Sequence, residues 1–168
     1  DQENLPHRDL LPWSGEFVGK YLISAIQGWQ ISKDNNLKEL IDTVINELID
    51  SQLPDGYLGP FPTDIRLVSD RWDVWGHYHW ILALIMYYQD TGYKSAIDAC
   101  CKAGDLIHKT FVGTERRMLS PEQNLAILHG ACLLYEMTAQ PQYLELAEWV
   151  IEELDKPGGC GYIEDALA

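Results

Sequence analysis

Between residues 13 and 154 the apolar residues recur at helical spacing in six stretches, separated alternately by a short turn and by a longer loop. Trp13 to Ile31 carries Phe17, Tyr21, Leu22, Ala25, Ile26 and Trp29 on one face, and Asp34-Asn35-Asn36 then turns the chain. Leu37, Leu40, Ile41, Val44, Ile45, Leu48 and Ile49 mark a second amphipathic helix that ends before Pro54-Asp55-Gly56. A third helix starts near Asp73 and runs through Trp80, Ile81, Leu84, Ile85 and Tyr88; it is apolar almost all round, which predicts burial. The spacing places a fourth helix from about Lys94 to Phe111, a fifth from about Pro121 to Thr138 and a sixth from about Gln142 to Leu154, stopped by Pro157-Gly158-Gly159.

These stretches pair into three helical hairpins with turns at Asp34, Gly92 and Ala139, an all-α plan on one domain spanning residues 1–168. The turns are unevenly spaced and further apart than the roughly 34 residues of tetratricopeptide units. Uneven loops suit a toroid. Each hairpin buries its apolar face only against its neighbours, so three leave two open ends, and the expectation is a partner subunit or the rest of a larger ring.

Composition mainly excludes. With 46% hydrophobic and 11% aromatic residues in 168, the chain has the material for a core. Lys and Arg number 12 against 26 Asp and Glu, a net charge of -14 that repels phosphate backbones and anionic lipid, so neither nucleic acid nor a membrane surface is an expected partner. The longest apolar run, Trp80 to Tyr88, is half the length of a membrane span. Asp1-Gln2-Glu3-Asn4 has neither the basic start nor the apolar core of a signal peptide, which fits a processed or excised chain and leaves the compartment open, secreted or periplasmic included. Cys100, Cys101, Cys132 and Cys160 form no Cys-x-x-Cys or zinc-finger pattern, so no metal site is assigned, and the adjacent Cys100 and Cys101 are read as small hydrophobes.

The densest chemistry lies in Arg71-Trp72-Asp73-Val74-Trp75-Gly76-His77-Tyr78-His79-Trp80. On a helix, Trp72, Trp75 and His79 share one face, while Asp73, His77 and Trp80 share the next. Indoles that cover apolar sugar faces beside groups that bond hydroxyls are what a saccharide pocket needs. Taken singly each residue has a plainer use: tryptophan as core, histidine bonded to backbone carbonyls, Asp73 as helix cap. Taken together the cluster reads as a site. Asp55-Gly56-Tyr57-Leu58-Gly59-Pro60 combines turn formers with an aromatic, either reaching over a cleft or forming a tight turn with Tyr57 tucked under. Trp13 and Glu16 open the first helix as Trp72 and Asp73 open the third; Glu16 also suits a first-turn acid that complements the helix dipole. The candidate substrate-binding set is therefore Trp13, Glu16, Asp55, Tyr57, Trp72, Asp73, Trp75, His77 and His79. Glu16, Asp55, Asp73 and Glu122 are the acids near inner-helix starts. His129, among apolar residues, is read as a core histidine, and Glu115-Arg116-Arg117 as a solvated loop. Phosphate-loop, dinucleotide, Gly-x-Ser-x-Gly and His-Glu-x-x-His motifs are absent from the sequence.

Trp13-Ser14-Gly15-Glu16-Phe17-Val18-Gly19-Lys20-Tyr21, Gln52 through Gly59 and Trp72-Asp73-Val74-Trp75-Gly76-His77 occur in this order. With Tyr87 through Gly92, Leu133 through Thr138 and Tyr143 through Ala147 they resemble the β-L-arabinofuranosidase family of glycoside hydrolases over nearly the whole chain. The resemblance implies an (α/α)6 toroid of which about three of six hairpins are present, and a carbohydrate substrate, with L-arabinofuranosides of plant-type or other complex glycans as the expected class. It also implies retaining hydrolysis by a cysteine nucleophile in a zinc site and by a glutamate acid/base, all from later in the chain, so the four cysteines carry no role over and this chain alone is expected to be inactive. A substrate-contacting histidine early in the third helix matches His77 or His79, whereas a second, opening the fifth helix, meets Ser120-Pro121-Glu122-Gln123-Asn124 instead. Two other readings remain: a six-hairpin sugar epimerase or polysaccharide lyase with His77 or His79 as base, and a non-catalytic helical-repeat module that binds a glycan or protein.

Overall fold

The computed structural model describes residues 10–68, 71–118 and 122–156. Its elements in chain order are α1 (Glu16–Ser32), α2 (Asn35–Asp50), α3 (Asp73–Thr91), α4 (Lys94–Phe111), a 3-10 turn (Glu122–Ala126), α5 (Ile127–Thr138) and α6 (Pro141–Asp155). Among the described residues all regular structure is helical, in the three hairpins of an (α/α)6 toroid. The fifth stretch runs as 3-10 over Glu122–Ala126 before turning α-helical at Ile127; its expected start at Pro121, the stop at Pro157-Gly158-Gly159 and Cys160 lie outside the described residues.

The three inner helices end alike, which gives the repeat a backbone basis. Lys33, Gly92 and Ala139 all sit in the left-handed region, at φ 54°, 69° and 55°, and each returns its N–H to the carbonyl four residues back. This αL cap satisfies one orphan carbonyl and reverses the chain. Asp34 then starts α2 by accepting the N–H groups of Asn36 and Leu37.

α3 lies between α1 and α5 and carries α4 on its outer side. That position explains its near-continuous apolar pattern: Val74, Ile81, Ala83, Leu84 and Ile85 meet neighbours on three sides. Trp75, Tyr78, Leu82, Met86 and Gln89, at i, i+3, i+7, i+11 and i+14, keep solvent access and trace a stripe that the neighbours leave partly uncovered, with Tyr88, Asp90 and Thr91 also accessible at the C-terminal end. The core continues through Leu22 and Ile26 of α1, Ile41 and Ile45 of α2, Ile107 of α4, Leu134 of α5 and Tyr143 of α6. Each such side chain contributes about 1.5–3 kcal/mol by leaving water.

Three expectations change. Phe17 and Tyr21, placed by spacing on the buried face of α1, are 63% and 49% exposed, because α1 is the end helix of the stack and has an inner neighbour on one side only. His129 is exposed rather than in the core. Arg117 is not a freely solvated loop residue: its Nε lies 2.7 Å from Glu153, which is fully buried and also paired with Lys156. Burial alone would raise the Glu153 pKa, but the hydrogen bonds from Lys156 and Arg117 hold it below the ordinary value.

Candidate carbohydrate-binding site

The N-terminal turns of α3 hold two networks that share the helix and differ in access to solvent. The first is sealed. Asp73, the opening residue of α3 after the N-cap Trp72, accepts at Oδ2 from the Tyr57 hydroxyl (2.9 Å) and from the Leu67 N–H (2.8 Å). Leu67 sits at φ +52°, which a branched residue holds only under constraint, and the carboxylate supplies that constraint. Tyr57 also accepts the Phe61 N–H, and burial, then the nearby Asp73 charge, pushes its phenol far above the ordinary value. His77 donates from Nδ1 to the Asp73 carbonyl (2.8 Å) and accepts the Leu58 N–H at Nε2 (3.2 Å). Both ring nitrogens are thereby committed to backbone, and the residue is 0% exposed. This network clamps the 57–67 loop to α3.

The second network faces α1 and the uncovered stripe. Glu16, in the first turn of α1, accepts the indole N–H of Trp75 and pairs with Lys20 at 2.9 Å. The Lys20 ammonium lies 5.4 Å from the centre of the Trp75 ring, and the His79 imidazole meets that ring edge-on at 4.3 Å. The close crossing rests on Gly19, where a Cβ would fall 2.6 Å from the His79 Cβ and 2.7 Å from its backbone carbonyl carbon. His79 donates from Nδ1 to the Trp75 carbonyl (2.8 Å), which fixes the tautomer and leaves Nε2 as an acceptor. Burial lowers the His79 pKa, so the ring is neutral at pH 7. Glu16 and Lys20 cancel, giving a locally neutral surface of indole, imidazole and an ion pair.

Of the sequence candidates, Glu16, Trp75 and His79 come together here. Glu16 does more than complement a helix dipole, since it is 6% exposed and orients Trp75. Trp72 does not join the Trp75–His79 face; it precedes the helix, its ring pairs with Trp13 at 6.2 Å, and its N–H bonds to the Pro12 carbonyl. Asp73, Tyr57 and His77 belong to the sealed clamp, with Tyr57 tucked under as the turn reading has it. Asp73 is the first helical residue and not the cap. Asp55 lies out in the loop, 2.8 Å from Arg66. A cavity of about 210 Å³ lies elsewhere, between α2 and α4, lined by Ile49, Gln52, Ser95, Asp98, Ala99 and Lys102.

Sequence reasoning missed Lys20, Tyr78, Asn124 and His129. Asn124 accepts the Trp75 N–H and donates to the Arg71 carbonyl, both at 2.9 Å, tying the 3-10 turn to the start of α3. Tyr78 bonds His129 across the α3–α5 crossing at 3.1 Å. The i+4 spacing from Glu16 to Lys20 was a readable signal; the others depend on contacts between distant segments.

Among the described residues no group of three or more His, Cys, Asp or Glu is arranged to hold a metal. Cys100 is sealed, donates to the Ile81 carbonyl, and burial pushes its thiol well up, which keeps it protonated; Cys101 is half-buried and Cys132 exposed.

Comparison with known proteins identifies the family. A non-reducing end β-L-arabinofuranosidase of Bifidobacterium longum subsp. longum is 28% identical over 147 residues, covering 80% of this chain and 22% of the relative. The crystal structure of a GH127 β-L-arabinofuranosidase from Geobacillus stearothermophilus T6 matches with a TM-score of 0.69 and 29% identity over 80% of this chain and 22% of that one. A second GH127 enzyme, a β-arabinofuranosidase, matches with a TM-score of 0.71 over 89% of this chain and 26% of its own at 21% identity, a likeness of fold. The chain thus spans about a fifth of the length of these relatives. The family model for the GH127 β-L-arabinofuranosidase catalytic domain matches residues 7–157, and the chain belongs to that family.

Proposed function

We propose that this chain forms part of the substrate-binding wall of a glycoside hydrolase acting on L-arabinofuranosides of plant-type or other complex glycans. The observation that carries the reading is the Glu16–Trp75–His79 group: a half-buried indole held by its N–H on the accessible stripe of α3, and beside it a neutral imidazole, 7% exposed, whose Nε2 has no protein partner among the described residues. An indole whose N–H is already bonded offers its flat surface, which suits the apolar face of a sugar, while Nε2 accepts a hydroxyl. His77 is withdrawn as a base by its two backbone bonds, so the epimerase and lyase readings are left with His79 alone.

The nucleophile, the acid and any zinc belong, on this reading, to residues beyond the described ones. The same reading gives a partner: Phe17, Val18 and Tyr21 along α1, with Trp13 before it, are exposed, and further hairpins of the same ring would cover them.

The test is turnover of p-nitrophenyl β-L-arabinofuranoside by the full-length protein and its Trp75→Ala variant. Release of arabinose that falls at least tenfold in the variant, with the melting temperature little changed, supports the reading. An unsaturated, ultraviolet-absorbing product from a uronide polymer would replace it with a lyase, and sugar binding without turnover would replace it with a binding module.

A further inference from the structure

A second polar pair lies beside the Trp75–His79 group on the same wall and is used by neither network. The Tyr78 ring centre is 5.0 Å from His79, 5.8 Å from Trp75 and 5.8 Å from His129. The Tyr78 hydroxyl and the His129 Nδ1 are 3.1 Å apart, linking α3 to α5. His129 is exposed, and among the described residues its Nε2 has no protein partner.

We propose that Tyr78 and His129 form a second hydroxyl-binding position, contiguous with the Trp75–His79 surface, that sets which sugars the wall accepts. This rests on the carbohydrate reading above and adds the residues that discriminate. The chemistry follows from the shared proton. When the tyrosine donates to Nδ1, the other ring nitrogen carries N–H and presents a donor. When Nδ1–H donates to the phenol, Nε2 becomes an acceptor and the tyrosine O–H is freed to donate. The pair therefore matches a group that both gives and takes a hydrogen bond, which is a sugar hydroxyl. Burial raises the Tyr78 pKa, so the phenol keeps its proton at neutral pH. A role confined to clamping α3 to α5 leaves the open Nε2 unused.

The experiment titrates the full-length protein with methyl β-L-arabinofuranoside and with its 2-deoxy, 3-deoxy and 5-deoxy forms, in wild type, His129→Leu and Tyr78→Phe. The expected result is a roughly 5- to 10-fold loss of affinity for the parent glycoside in both variants, and no loss for one deoxy form, the one lacking the hydroxyl that the pair holds. Unchanged affinity, or an equal loss for the parent and every deoxy form, overturns the proposal while leaving the carbohydrate reading in place. Failure of wild type to bind any of the four glycosides overturns both. His129 is exposed, so its variant is expected to fold; Tyr78→Phe keeps the ring and removes only the hydroxyl.

Discussion

The Tyr57 hydroxyl donates to the Asp73 carboxylate at 2.9 Å, joining a loop to the first residue of α3 in a place that water does not reach. One oxygen of Asp73 serves both this hydroxyl and the Leu67 amide, so a single side chain holds two points of the 57–67 loop. The position of the loop is thereby a property of the helix start.

Tyr57→Phe keeps the ring and removes the donor, leaving Asp73 with the Leu67 N–H alone at Oδ2. The expected cost is about 1–3 kcal/mol in chemical denaturation of the full-length protein, because a buried carboxylate loses one of its bonds. A change under about 0.3 kcal/mol would mean that the hydroxyl is not stabilising the loop.

The phenols of Tyr57, Tyr87 and Tyr143 are all pushed up, first by burial and then by interactions with Asp73, Asp42 and Cys101 respectively. In the unfolded chain they ionise near pH 10, whereas the folded protein keeps their protons. Above that pH the unfolded state binds fewer protons, so stability falls as pH rises. Their contribution is fully present below about pH 10 and is lost above it. Denaturation midpoints between about pH 9 and 11.5 are expected to fall less steeply in Tyr57→Phe than in wild type, and equal slopes would remove Tyr57 from the account.

His77 and His79 should separate by phenotype. His77→Ala strands the Leu58 amide and opens a void, for an expected loss of roughly 2–4 kcal/mol. His79→Ala is expected to weaken sugar binding several-fold with a smaller stability loss. The His79 pKa is lowered by burial, so its neutral ring contributes stability above the unfolded value near pH 6.5 and loses it as pH falls through the lower folded value. Sugar affinity should accordingly be flat above about pH 6.5. A rise or fall centred at pH 7 or above would contradict a neutral, buried ring.

These two histidines also mark the limit of what the sequence carries. Helical spacing locates α3 near Asp73 and α4 at about Lys94 to Phe111, where they stand, because period and punctuation are local properties of the chain. It groups Trp75 with His79, one turn apart, for the same reason. It does not say that the Leu58 amide, 19 residues upstream, takes the Nε2 of His77 and that none does so for His79 among the described residues. Phe17 and His129 fail alike: a period identifies a face, whereas burial depends on what lies against it, and α1 stands at the end of the stack. Glu16 was legible as a residue but not in its role, which comes from an indole 59 positions away.

Gly19→Ala places a methyl group within 2.6–2.8 Å of His79 Cβ, the His79 carbonyl carbon and Trp80 Cδ1. Backbone cannot yield as a flexible side chain does, so α1 must move off α3, and with it Glu16 leaves Trp75. An expected loss of about 1–3 kcal/mol or more should come with weakened sugar binding. Gly28→Ala on the same helix meets only Leu37 Cδ2 at 3.6 Å and is expected to be neutral or to stabilise by about 0.5–1 kcal/mol. Equal effects of the two substitutions would mean that close helix approach does not set the position of Glu16.

Glu16 is the acid that bonds Trp75, which raises the question of whether it performs chemistry or only holds the indole. Its Oε2 accepts the indole N–H and pairs with Lys20, and the residue is 6% exposed, so the carboxylate is engaged in holding the wall. Glu16→Gln preserves an acceptor for Trp75 and removes the charge that retains Lys20. As a positioning residue it should lower kcat/KM on an arabinofuranoside by about 10-fold or less, chiefly through KM, with the pH profile of kcat unchanged. A proton-transferring carboxylate behaves otherwise: its loss costs kcat roughly 10²- to 10⁴-fold and removes one limb of the pH profile. The second pattern would bring Glu16 into the reaction and require the sugar to approach α1 rather than the Trp75 ring.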